Sequence, residues 1–333
     1  MNIAIVGGGS WGTALANTWA TAGHNVIILT RRTECAQEIN IHHTNNRYLP
    51  NINLNENIQA TVDKREAFEN AEVISLSVPA QYMAVSIHNI REYIKDGSII
   101  LCTSKGIETL NRRFMHEVVY SEFGTKSIKY AVISGPSFAP DVAAGKPAAV
   151  VIASNYKELC EKLRDSLSTN SFRIYSSTDV IGVECAGAIK TIMALAAGIS
   201  DGLALGESAR AGLITRGLAE MTRFGVAFGA SFSTFIGLAG AGDLMVSCTA
   251  GMSRNRRVGI ALAHGNSIEE ALSSVDQIAE GFKTVEAVVA LAKQKNIKMP
   301  IANAVYDIIK NPKDARIIAD RLLSRPLTDE YII

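Results

Sequence analysis

"MNIAIVGGGSWGTALANTWATAGHNVIILTRR" fills residues 1–32. An apolar run at 3–6 stops at Gly7-x-Gly9-x-x-Gly12, a helical pattern follows over 11–21, and a second apolar run lies at 26–29. Each glycine has its own geometric task in that frame. Gly7 permits a tight turn off the strand, Gly9 lets backbone approach a pyrophosphate, and Gly12 lets helix pack on strand. The N–H groups and dipole at the helix start then face the anion. Glycines alone also make ordinary loops; the strand before, the helix after and the second strand on schedule mark a dinucleotide-binding unit.

Farther along, short apolar or β-branched runs at 73–78, 98–102, 131–133 and 148–152 read as buried strands bounded by Gly, Pro or Asn. Helical patterns at 34–42, 80–94 and 111–122 lie between several of them, an alternation that builds a parallel sheet with helices on both faces. The expected class is α/β, with a doubly wound, Rossmann-type N-terminal domain. Past "FRIYSSTDV" (172–180) apolar residues recur at helical spacing to about 323, and almost no strand-like run survives. An all-α C-terminal domain is expected there. The boundary falls near 178, giving a dinucleotide-binding domain over 1–178 and a helical substrate and catalytic domain over 179–333.

The chain has 333 residues, 47% of them hydrophobic, which suffices for two domains with proper cores. A formal net charge of +1 supplies no long-range field toward nucleic acid or an anionic membrane, so any anion site must be local. Cys35, Cys102, Cys160, Cys185 and Cys248 form no C-x-x-C pair, which argues against a zinc cluster or disulfide framework and for a reducing compartment. The histidines show no ligand spacing, so no metal is expected. The first strand begins at residue 3 and leaves no room for a secretory leader; a cytoplasmic location is expected. The uncharged stretch 224–242 holds Gly225-x-x-x-Gly229, the pattern of membrane helix pairs, but "GASFST" divides it into a helix end, a turn and a short buried helix. No stable membrane insertion is expected.

Thr30-Arg31-Arg32 stands about 20 residues past the glycines, where an acid would take the ribose 2′-hydroxyl of NAD. Guanidinium groups instead suit a 2′-phosphate by charge and by their planar fork of donors. The reading is NADP(H) preferred over NAD(H); the competing one is a solvated arginine pair at a strand end.

Ligands of open parallel sheets collect beyond the carboxyl ends of the strands, which points to "SVPAQ" (77–81), "CTSKGIE" (102–108) and "SGPSFAP" (134–140). Lys105 stands in such a turn within reach of an oxyanion or phosphate, and Ser137 follows a Gly-Pro turn that presents its hydroxyl. Lys190 is the sharper signal, since it sits in the apolar "GVECAGAIKTIMALAAGIS" and lysine is seldom buried without reason. Ala194, Ala197 and Asp201 share its helical face, and these small neighbours leave room for a ligand. Desolvation lowers a lysine's pKa, which suits a general acid or base at a carbonyl; the alternative is a snorkelling side chain. In "GAGDLMVSCTAGMSRNRRVGIALAHG" (240–265), Ser253 is placed to cap a helix that stops at His264-Gly265, clustering Ser253, Arg254 and Asn255 at a positive helix end suited to phosphate. Arg256 and Arg257 point elsewhere, to the surface or to acids. Asp243 reads equally as a helix cap, as an acceptor for a substrate hydroxyl, or as a partner of Lys190.

These segments, with "DGLALGESARAGLITRGLAEM" and "AEGFKT", closely resemble the bacterial NAD(P)-dependent glycerol-3-phosphate dehydrogenases, from the first strand to about residue 323. The resemblance implies reversible hydride transfer between NAD(P)H and dihydroxyacetone phosphate, giving sn-glycerol 3-phosphate for phospholipid synthesis. By position it assigns NADPH contacts to Ser10, Trp11, Arg31, Arg32, Ala139, Ile278 and Glu280, and proton transfer to Lys190. Substrate contacts fall to Lys105, Gly135, Ser137, Asp243, Ser253, Arg254 and Asn255, with Lys105 and Arg254 near the cofactor as well. A homodimer is usual for such a family. Thr191 departs from the asparagine that members often carry after this lysine. The rival readings are a related two-domain dehydrogenase of another phosphorylated or carboxylated alcohol, and a non-catalytic NADP(H)-binding regulator.

Overall fold

A computed structural model of the chain describes residues 1–275, 279–327 and 329–330. It divides into two compact units: Met1–Ser104 with Met115–Val180, and Lys105–Phe114 with Ile181–Ile333. The ten-residue segment between Ser104 and Met115 thus belongs to the second unit although its neighbours in sequence belong to the first.

The first unit is built on one eight-stranded sheet, β1 (Asn2–Val6), β2 (Asn25–Leu29), β3 (Ile58–Thr61), β4 (Val73–Leu76), β5 (Ile99–Cys102), β6 (Lys129–Ser134), β7 (Ala148–Ala153) and β8 (Phe172–Ser177), in the order β3-β2-β1-β4-β5-β6-β7-β8. Its helices are α1 (Ser10–Thr21), α2 (Thr33–His42), α3 (Lys64–Phe68), α4 (Met83–Ile90), α5 (Met115–Phe123), α6 (Ala139–Ala143) and α7 (Lys157–Leu167). The doubly wound expectation holds, with one exception. β6 and β7 pair antiparallel, the chain returning through α6, and Gly135 (φ 150°), next in that register, lies so near Val150 that an added Cβ would stand 2.8 Å from that residue's Cα. β3 ("IQAT") and β8 ("FRIYSS") escape a pattern search because exposed polar residues interrupt their apolar runs. The helix expected over 111–122 begins only at Met115, since 105–114 is spent on a loop of the other unit. The single pattern read at 80–94 is α4 flanked by two 3-10 turns.

Helices make up the second unit: α8 (Val180–Gly202), α9 (Glu207–Ala227), α10 (Phe232–Phe235), α11 (Asp243–Thr249), α12 (Arg254–Ala263), α13 (Ile268–Ser273), α14 (Gly281–Gln294), α15 (Pro300–Lys310) and α16 (Ala315–Leu323). α8 is apolar all round because it is the core: it has the length and hydropathy of a membrane span, yet 89% of that window is buried inside the protein. Its small residues are consumed by close helix packing. A Cβ on Gly198 would stand 2.0 Å from the Arg256 carbonyl oxygen, and one on Gly259 would stand 2.2 Å from that of Leu195, so α8 and α12 touch backbone to backbone. Ala194 and Ala197, expected to leave room for a ligand, are fully buried instead.

Candidate functional site

In the sheet unit, β1 delivers the chain into the glycine loop. A Cβ at Gly7 (φ 113°) would collide with the Ser77 carbonyl at 2.6 Å, and one at Gly12 would lie 2.1 Å from the Gly7 carbonyl oxygen, so both positions exclude side chains on packing grounds. Gly9 is different. No atom lies within 4 Å of where its Cβ would stand, and it immediately precedes the first turn of α1, whose N–H groups have no partner within the helix. That open, backbone-lined cradle fits the pyrophosphate of a nicotinamide dinucleotide. The Ser10 hydroxyl donates to the Tyr48 carbonyl, and Trp11 is half-buried with its ring 6.4 Å from that of Phe172. Arg31 is exposed and Arg32 half-buried past β2, where the Thr30 hydroxyl donates to the Arg32 carbonyl at 2.9 Å. The Ser137 hydroxyl donates back to the Gly135 carbonyl at 3.1 Å, and Ala139 opens α6 and packs on the core.

In the helical unit, three segments bring charged side chains to one point. The 105–114 loop is held shut by Glu108, whose carboxylate takes two donors from Arg113 at 2.9 and 2.7 Å and whose N–H donates to the Arg113 carbonyl. This fixes Lys105, whose Nζ donates to Asp243 Oδ2 at 2.5 Å. Lys190, from mid-α8, donates to Asp243 Oδ1 at 2.8 Å and to Ser247 Oγ at 2.8 Å. The side chains of Lys105, Lys190 and Asp243 are 17%, 13% and 2% exposed. Burial would raise the Asp243 carboxyl, but the two ammonium groups outweigh it and hold the acid below its usual range. Burial lowers Lys105 to about 8; Asp243 opposes the fall and Lys190 deepens it. Of the readings open for Asp243, the structure shows partnership with Lys190 and no helix cap: α11 has no side-chain cap, and both carboxylate oxygens accept from lysines. Ser247 escaped the sequence reading. Its signal was present, since a hydroxyl four residues past Asp243 on a helix shares its face.

Beside this cluster in sequence, the Ser253 hydroxyl accepts from Arg256 N at 3.4 Å and caps α12, as its position predicts. Arg254 remains exposed, within electrostatic reach of Glu280. Asn255 does something the sequence did not disclose: its Oδ1 accepts from Gly281 N at 3.0 Å, tying the start of α14 to α12. A Cβ on Gly281 would meet both Thr191 O at 2.7 Å and that oxygen at 2.9 Å. The Thr191 hydroxyl itself turns back to the Ala188 carbonyl at 2.6 Å. Arg256 pairs with Asp201 at 2.6 Å, and Asp201 also takes Arg210 at 3.0 Å. Asp201 therefore braces α8, α9 and α12 rather than lining a ligand space. Ile278 lies outside the described residues.

Both parts of the chain match models of one family. Residues 2–160 match the model of the NAD-dependent glycerol-3-phosphate dehydrogenase N-terminus, and 179–320 match that of the C-terminus. Glycerol-3-phosphate dehydrogenase [NAD(P)+] of Nitratidesulfovibrio vulgaris strain Hildenborough is 46% identical over 330 residues, covering 99% of this chain and all of that one. The enzyme of the same name from Oleidesulfovibrio alaskensis is 44% identical over the same span. Among solved structures, the glycerol-3-phosphate dehydrogenase of Coxiella burnetii superposes with a TM-score of 0.92 at 41% identity, covering 97% of this chain and 99% of that one.

Proposed function

The chain belongs to the NAD-dependent glycerol-3-phosphate dehydrogenase family, and on that premise we propose that it interconverts dihydroxyacetone phosphate and sn-glycerol 3-phosphate with an NAD(P) coenzyme, the product serving glycerophospholipid synthesis. The observation that carries this reading is the single buried carboxylate of Asp243 gripping Lys105 and Lys190 at once. Gly7, Gly9, Gly12, Ser10 and Trp11 hold the dinucleotide by backbone and by α1, with Ala139, Ile278 and Glu280 completing its contacts. Arg31 and Arg32 face the 2′-phosphate, which makes NADPH the preferred coenzyme. A bound nicotinamide supplies the hydride equivalent.

The remaining chemistry belongs to the protein. Lys190 Nζ gives a proton to the C2 oxygen of the ketone as that oxygen gains charge, and takes it back in the reverse direction. Asp243 holds the lysine where that oxygen arrives. Lys105 and Arg254, with Ser253 and Asn255 at the start of α12 and Gly135 and Ser137 past β6, grip the substrate and its phosphate so that C2 is presented in one orientation. Replacing Lys190 with Ala is expected to lower kcat by about 10³-fold or more while leaving NADPH binding, measured by fluorescence titration, within about twofold of the wild type. A variant that retains appreciable kcat overturns the proton-transfer role.

We place the protein in the cytoplasm on the family resemblance and without stable membrane insertion; of the two stretches long and apolar enough to span a membrane, α8 is 89% buried inside the protein and Phe232–Thr249 is 39% buried. A homodimer is proposed from the family resemblance, with sedimentation velocity as its test.

A further inference from the structure

We infer that Arg47, carried on the ring of Tyr48, is a third specificity-determining cation for the coenzyme's 2′-phosphate, beside Arg31 and Arg32. The inference deepens the proposed NADPH preference and rests on it.

The sequence gives Arg47 no distinction, because it lies in a polar stretch between α2 and β3. The fold does. Asn45 is buried, and its Nδ2 donates to the Gly8 carbonyl at 3.0 Å and to Thr13 Oγ1 at 2.8 Å. Its own carbonyl accepts from Tyr48 N at 3.1 Å and Leu49 N at 2.8 Å, closing a turn in which Asn45 and Leu49 form an isolated bridge. Leu49 is 1% exposed, and the Ser10 hydroxyl donates to the Tyr48 carbonyl. The turn is therefore strapped at both ends to the glycine loop and to the first turns of α1, the elements that cradle the dinucleotide.

That strap places two guanidinium groups on one aromatic ring. Arg32 Cζ lies 5.5 Å from the centre of the Tyr48 ring and Arg47 Cζ lies 5.7 Å from it. Each gains from the ring quadrupole, and the planar ring restrains the orientation of both. Two like charges on one ring also repel each other. Among the described residues, none of Arg31, Arg32 and Arg47 forms an ion pair with a carboxylate; Glu38, the half-buried acid of α2, is turned to Thr44 Oγ1 at 3.0 Å and Asn46 N at 2.7 Å. A dianionic phosphate monoester reached by both forks relieves the repulsion and takes charge-assisted hydrogen bonds from each. A ribose hydroxyl at the same place carries no charge and gains little from either.

The test separates coenzyme fragments as well as turnover. Wild type, Arg47→Gln and the double variant Arg31→Gln/Arg32→Gln are titrated calorimetrically with adenosine 2′,5′-bisphosphate and with 5′-AMP, and kcat/KM is measured for NADPH and NADH. Arg47→Gln is expected to weaken the bisphosphate about tenfold, to lower the NADPH/NADH ratio of kcat/KM by a similar factor, and to leave 5′-AMP within about twofold. Bisphosphate affinity within about twofold of wild type overturns the role of Arg47. If the double variant lowers the ratio while Arg47→Gln does not, this inference fails and the NADPH reading stands. If neither lowers it, the NADPH reading fails as well.

Discussion

The glycine loop of the sheet unit and the lysine–aspartate cluster of the helical unit, the two anion sites we propose, are built by opposite means. The loop uses contiguous residues, 7 to 12, and backbone N–H groups whose direction is fixed by a strand running into a helix. The cluster uses three side chains separated in sequence by up to 138 residues, and its charges are buried. A pyrophosphate with a spread, permanent charge is served by fixed dipoles. A developing alkoxide needs a proton, and that requires a titratable group held in a set place. The contrast predicts that the loop fails by packing and the cluster by charge. Gly12→Ala, with its Cβ 2.1 Å from a backbone oxygen, is expected to cost more than about 4 kcal/mol in urea unfolding or to prevent folding. Gly9→Ala meets nothing and has an ordinary φ of −81°, so its unfolding free energy should stay within about 0.5 kcal/mol of wild type while NADPH affinity falls. Equal damage from both substitutions breaks the distinction.

On the charged side, Asp243→Asn preserves shape and removes the countercharge that the two lysines share. One amide oxygen is left to accept, and the amide NH2 faces the other ammonium as a second donor. We expect kcat to fall about a hundredfold, with the Gly9 cradle unaffected and NADPH affinity near wild type. The pH dependence sharpens this. In the wild type, Lys105 near 8 must be charged to hold an anionic substrate, so kcat/KM is expected to fall as pH rises past about 8. Loss of Asp243 removes the influence that raises Lys105, so in the variant the fall should begin at lower pH. An alkaline limb that stays in place dissociates it from Lys105.

The same contrast explains what was legible in the sequence. Strand, glycines and helix of the first unit are neighbours along the chain, so Gly7, Gly9 and Gly12 declared themselves by spacing, and Lys190 declared itself by being charged in an apolar helix. Ser253 did so by capping chemistry. What stayed hidden depends on which distant backbone lies opposite. Nothing near Gly198 in sequence announces that α12 touches it, and Ala194 and Ala197, which read as space, are fully buried. The hydrogen bond that Asn255 accepts from Gly281 N is invisible in its own segment, and β8 escapes the strand pattern because one face of its strand is polar. Asp243 remained undecided for the same reason, since its partners, Lys105 and Lys190, come from other segments.

A second buried acid in the helical unit gives the smallest of these effects and an internal control on the charge argument. Glu220 of α9 is 2% exposed, like Asp243, but its carboxylate accepts backbone N–H groups from Ile301 at 2.6 Å and Ala302 at 3.3 Å at the start of α15, where Asp243 meets two amines. Burial dominates and lifts Glu220 to about 7; the two hydrogen bonds and the more distant charges of Arg223 and Arg325 oppose the rise without cancelling it. Because the folded form holds this proton more tightly than the unfolded chain, the group's contribution to stability is complete below about pH 4.5 and is lost as pH rises to about 7. Glu220→Gln never ionises, but it keeps one oxygen for Ile301 N and turns its NH2 toward Ala302 N, a cost that does not vary with pH. Its stability relative to the wild type should therefore rise by roughly 3 kcal/mol at most between pH 4 and pH 8, seen as a Tm difference that shifts in its favour toward the alkaline side. A stability gain independent of pH would mean that the amide packs better rather than that a charge has been removed, and the opposed behaviour of Asp243 and Glu220 would then need another cause than the amines that only one of them has.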